Sequence, residues 1–168
     1  MKTKRRAKRQ RMHVVTTYGL LDTLFASPDK PMPEWKRTHQ LTRMYGGLHA
    51  LETAAHPTPD DWRTVSDAVN LMETLVRDMK LCEDTSGLLA DAVAALALAG
   101  ARHLEDGVPI RLNGPGIQAV RAVLADYASV LETLSERVMT ECHRLTEQRV
   151  MAIFADRAKK HDVKFVSV

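Results

Sequence analysis

From Asn113 to about Arg157 the chain carries apolar residues at Ile117, Val120, Leu124, Tyr127, Leu131, Leu134 and Val138. Their steps of three and four place one stripe along a helix. Asn113-Gly-Pro115 is a start signal, because Asn accepts hydrogen bonds from free first-turn amides and proline is tolerated at the first helical position. No Gly or Pro follows Gly116. Unbroken, this helix would be roughly 60 Å long at about 1.5 Å per residue, about twice what the other segments offer. Its second half therefore needs a partner or a bend. Beyond Val138 the stripe rotates to Met139, Cys142, Val150 and Ile153, with Phe154 beside it. A rotated stripe faces something different. The preferred reading is a contact with a second copy, through Val138, Met139, Cys142, Leu145, Val150, Ile153 and Phe154, giving a homodimer. Docking on the chain's own body after a bend, or on a foreign protein, are the alternatives.

Three further helices are expected ahead of it. The first runs from about Glu34 to Ala55 and buries Leu41, Met44, Leu48, Leu51 and Ala55. Gly46-Gly47 lies inside it and costs about 1 kcal/mol per Gly relative to Ala, so either another helix approaches closely there or the segment is kinked. His56-Pro57 closes it. Thr58-Pro-Asp-Asp61 opens the second helix with a cap, a first-turn proline and two acids at the positive end of the macrodipole. Trp62, Val65, Val69, Met72, Val76 and Met79 form its face, and its end is expected between Leu81 and Asp84. The third, Leu88 to about Leu104, is nearly apolar all round, as central helices are. Val108 to Leu112 reads as an extended linker. The chain is thus expected to be all-α: a bundle of about four helices with a long C-terminal helix and a flexible basic N-terminal arm. The division is 1–33 for the arm, a short helix over 14–26 and a proline-rich hinge, and 34–168 for the bundle.

Charge is segregated. Lys2, Lys4, Arg5, Arg6, Lys8, Arg9 and Arg11 are seven cations with no acid before Asp22. Taking them from the chain's 24 Lys and Arg leaves 17 against 21 Asp and Glu, a body of net −4. The basic character therefore belongs to the arm, which suits non-specific contact with the phosphates of DNA or RNA. A solvated tail, or an arm on an acidic protein surface, are the other readings. Val14, Val15, Leu20, Leu21 and Phe25 follow the basic start, but His13, Thr16, Thr17, Tyr18 and Asp22 interrupt them, against a secretory signal. The most apolar window, Leu88 to Ala101, contains Asp91 and falls short of the roughly 20 residues of a membrane span. A cytoplasmic protein without membrane contact is expected, with Cys82 and Cys142 as free thiols.

Few constellations offer chemistry. His49, Glu52 and His56 share a helix face and are candidate metal ligands, yet no fourth ligand accompanies them and no metal is assigned. Cys142-His143 are neighbours that point about 100 degrees apart on a helix, which does not make a nucleophile and base pair. No phosphate-cradling glycine loop and no hydrolase or zinc motif is present. No catalytic residue and no cofactor is assigned, and the chain is read as non-enzymatic. Trp35 and Trp62 are candidates for stacking on a base, although a Trp near a helix start more often packs against a neighbour.

Gly47-Leu-His-Ala-Leu51, Pro59-Asp-Asp-Trp62, Ala68-Val-Asn-Leu-Met-Glu-Thr-Leu75 and the later Leu112-Asn-Gly114 resemble a family of short helical proteins of proteobacteria and their phages. Many of these carry the label "Fis family transcriptional regulator". The resemblance spans roughly residues 45 to 145 and implies a phage or prophage context. The last forty residues hold no helix-turn-helix pattern and no basic helix for base reading, so the label's regulator function does not follow for this chain. Two functions from different classes are carried forward. One is a nucleic-acid-associated accessory or regulatory protein; the other is a modulator that binds a host protein or nucleoprotein complex.

Overall fold

The computed structural model describes residue 26 and residues 30–165, with side chains through residue 153. Among the described residues five helices follow one another: α1 Glu34–Thr53, α2 Pro59–Glu73, α3 Leu89–Asp106, α4 Gly114–Leu131 and α5 Glu136–Phe165. Residues Thr74–Asp78 extend α2 by one π-helical turn. The all-α expectation holds. Among the described residues there is no strand, only an isolated bridge between Pro31 and Ser135, and no helix long and apolar enough to cross a membrane. The arm residues 1–25 and the tail 166–168 lie outside the described residues, as does the expected short helix over 14–26 apart from residue 26.

The α2 start forms as its sequence dictates. The Thr58 hydroxyl accepts from the Asp61 amide at 3.2 Å, and the Asp61 carboxylate accepts from the Thr58 amide at 2.9 Å. This reciprocal capping box satisfies two amides that a helix start leaves unpaired. Val65, Val69 and Met72 are buried as expected. α2 touches each of the other four helices, and α4 touches α1, α2 and α3. The α4 stripe supplies Val120, Leu124, Tyr127 and Leu131 to the core, each at most 2 % exposed. Side chains of that size contribute roughly 1.5–3 kcal/mol each on full burial.

Three expectations need correction. Ala55, expected in the buried stripe of α1, is exposed and lies beyond the helix's end at Thr53. α3 is peripheral, not central: among the described helices it packs only on α2 and α4, burying Leu89, Ala92, Leu96 and Ala99 while Leu98 is 57 % and Leu104 82 % exposed. The Asn113–Arg157 stretch is two helices. The Thr133 hydroxyl donates to the Val130 carbonyl at 3.0 Å, and tight turns close from Glu132 and Thr133 onto Ser129 and Val130. The Ser135 hydroxyl then accepts from the Val138 amide at 3.3 Å and opens α5. Hydroxyl residues that compete for backbone groups thus end one helix and begin the next. Residues 30–33 bind this corner: the Met32 amide donates to Leu134 O at 3.3 Å, the Glu136 amide donates to Lys30 O at 3.2 Å, and Met32 is buried.

The Gly46-Gly47 pair separates into two roles. A Cβ on Gly47 would stand 2.9 Å from the Asp61 carbonyl oxygen and 3.2 Å from Val65 Cγ2, so the close approach of α2 requires glycine. A Cβ on Gly46 would meet nothing within 4 Å. Gly47→Ala is expected to destabilise the fold by about 1–3 kcal/mol, and Gly46→Ala to stabilise it by about 1 kcal/mol. Urea unfolding of the two variants checks this, and shifts of the same sign would contradict the packing of α1 on α2.

Candidate functional site

The residues singled out in the sequence fall in three places. The arm cations Lys2 to Arg11 lie outside the described residues. The self-association stripe lies on α5, and the two tryptophans stand at the starts of α1 and α2.

α5 folds back on its own chain. Met139 is 3 % exposed and Cys142 fully buried, so both belong to the core of the chain and not to its surface. The Cys142 thiol donates to Leu71 O at 3.5 Å. One turn on, the hydroxyls of Thr146 and Thr74 meet at 2.7 Å in a buried contact. Arg149 then clamps the end of α2: it reaches Glu73 at 2.9 Å, Asp78 at 3.1 Å and the Asn70 carbonyl at 3.0 Å. At the other end Lys36 pairs with Glu136. Arg149 is the last α5 residue bonded to the body among the described residues. Val138, Leu145 and Val150 are half-buried, Met151 and Ile153 are about half exposed, and the side chain of Phe154 lies outside the described residues. Of the proposed self-association residues, Ile153 is therefore open, with Met151 beside it. The signal that would have placed Met139 and Cys142 inward is the Thr133 and Ser135 pair, which turns the helix just ahead of them.

Cys142 and His143 do not form a reactive pair. Burial pushes the Cys142 thiol up to about 12, and burial holds the His143 imidazole down to about 4. At neutral pH the thiol is protonated and the imidazole neutral, the reverse of a thiolate–imidazolium couple. Gln40 Nε2 lies 3.4 Å from His143 Nε2. Cys82 is also free, and burial, with Asp126 nearby, raises its pKa as well. The His49, Glu52 and His56 set does not assemble: Glu52 pairs with Arg121 at 2.8 Å. Among the described residues no group of three or more His, Cys, Asp or Glu is placed to hold a metal.

The tryptophans part company. Trp62 donates from Nε1 to Leu96 O at 3.0 Å and packs against Gly100, where a Cβ would stand 2.7 Å from its ring. Trp62 is a packing residue. Trp35 is 68 % exposed in the first turn of α1. With Glu34, Thr38, His39 and Thr42 it lines a shallow depression of about 540 Å³. Lys36 Nζ sits 5.6 Å from the indole centroid, a cation–π distance.

Protein-family models, curated proteins and solved structures give no match to this chain.

Proposed function

We propose that this is a non-enzymatic, nucleic-acid-associated accessory or regulatory protein. Its arm contacts the phosphate backbone of DNA or RNA without sequence choice, and its helical body makes protein–protein contacts, first with a second copy. One observation carries the reading: seven Lys and Arg stand within residues 2–11, while the remainder of the chain is net negative. Cations concentrated on an arm and withheld from the body neutralise phosphates without drawing the whole protein onto the polyanion. For the body, Met151 and Ile153 leave apolar surface beyond the Arg149 clamp on a helix that runs on to Phe165.

Deleting residues 2–11 is expected to abolish binding to a mixed RNA and DNA panel at low salt. Gel-shift titration measures it, and undiminished binding would remove the proposal. The same exposed residues favour a second reading, in which the chain modulates a host protein or nucleoprotein complex. A stoichiometric protein partner captured from bacterial lysate after nuclease treatment would favour that one.

A further inference from the structure

The outer face of α1 has the chemistry of a base-stacking platform. Trp35, His39, Thr42, Gly46 and His49 recur in steps of four and three and are all exposed, with Thr38, Arg43 and Tyr45 beside them. Over residues 35–51 α1 contains Lys36, Arg37 and Arg43 and no Asp or Glu, within a body whose net charge is negative. Lys36 is paired with Glu136, and Arg43 lies in the field of Asp67. Glu34 stands at the rim of the Trp35 depression and Glu52 is paired with Arg121. Along this face stand indole, phenol, imidazole and hydroxyl groups, with Glu34 at one end, Glu52 at the other and Asp67 beside Arg43. Exposed Trp35 is not needed by the fold, in contrast with Trp62, and Gly46 leaves open space where a side chain would cost nothing.

We infer that this face binds single-stranded nucleic acid, with an unpaired base stacked on Trp35 and the following nucleotides running along His39, Thr42 and Gly46. The inference rests on the arm reading above and names its substrate class. Arg11, the last of the arm's cations, precedes Trp35 by 24 residues in sequence, so a single strand long enough to reach both would gain from each. A base paired within a duplex keeps its faces covered by its neighbours, whereas a single strand exposes them. The arm supplies attraction that depends on salt, and Trp35 supplies stacking that does not.

The test uses the full chain, a 15-nucleotide oligothymidylate and a mixed-sequence duplex of the same length. Oligothymidylate is expected to quench tryptophan emission. Trp35→Ala is expected to remove that quenching and weaken single-strand binding about tenfold. The slope of log affinity against log salt and the duplex affinity should both be unchanged, and Trp35→Phe should restore most of the binding. Trp35 is exposed, so the alanine variant keeps the parent's melting curve. Single-strand binding untouched by Trp35→Ala, yet abolished by deleting residues 2–11, would overturn the stacking site while leaving the arm intact, and would leave this face to a protein partner. Failure of the parent to bind either polymer would overturn both.

Discussion

Acidification from pH 7 to below pH 4 is expected to remove about 3 kcal/mol of stability through His143 alone. Burial against the body holds the imidazole down to about 4, below its ordinary value of 6.5. The folded state therefore prefers the neutral ring. Between these two values the unfolded chain binds more protons than the folded one, so stability falls as pH falls. The contribution is whole above about pH 6.5, declines through the window between 6.5 and 4, and is gone below it. A shift of that size corresponds to about 3 kcal/mol at 1.36 kcal/mol per unit. Urea unfolding of the parent and of His143→Gln at pH 7, 5.5 and 4 isolates this contribution from those of the carboxylates. The glutamine variant should lose less stability over the window, and parallel curves would show that His143 is not buried against Gln40 and the body. Because His143 sits between Cys142 and Arg144 on α5, the first region to loosen in acid should be the packing of α5.

Leu75→Ala is expected to cost about 3 kcal/mol, the usual scale for truncating a buried Leu. Leu75 is fully buried in the π-helical turn, where the Met79 amide reaches back to Thr74 O at 2.9 Å and the Leu81 amide to Leu75 O at 3.0 Å. The widened turn brings Thr74 and Leu75 inward together, Thr74 onto Thr146 of α5. Leu81→Ala is the control: Leu81 is 50 % exposed and its truncation should change stability by less than about 0.5 kcal/mol. Equal effects in urea unfolding would contradict the register of the π turn. Amide exchange should also rise in the α5 segment that carries Cys142 and Thr146.

These two sites mark where the sequence was legible and where it was not. The Thr58 cap, the α2 stripe and the α4 stripe were readable because each rests on interactions local in sequence, with periodicity and capping in agreement. The break at Glu132–Ser135 was hidden because Thr133 and Ser135 do the work that Gly or Pro does elsewhere, while Leu131, Leu134 and Val138 keep helical spacing across it. The π turn was hidden for a similar reason: one extra residue rotates the face, yet Leu75, Val76 and Met79 suit either register. Met139 and Cys142 are buried in the body because the bend turns α5 so that Cys142 meets Leu71 and Thr146 meets Thr74. Trp35 and Trp62 look alike locally. What separates them is the Leu96 carbonyl, 34 residues beyond Trp62, together with Gly100. Local sequence carries no trace of either.

The arm is different in kind, because its meaning lies in charge and not in packing. The most direct test of the proposed function is the salt dependence of binding to duplex DNA by the full chain and by the chain lacking residues 2–11. Seven cations engaged on phosphates predict a slope of log affinity against log salt of about −6 at roughly −0.9 per phosphate, reduced to shallower than about −2 when the arm is removed. A slope that is the same with and without the arm would contradict the account.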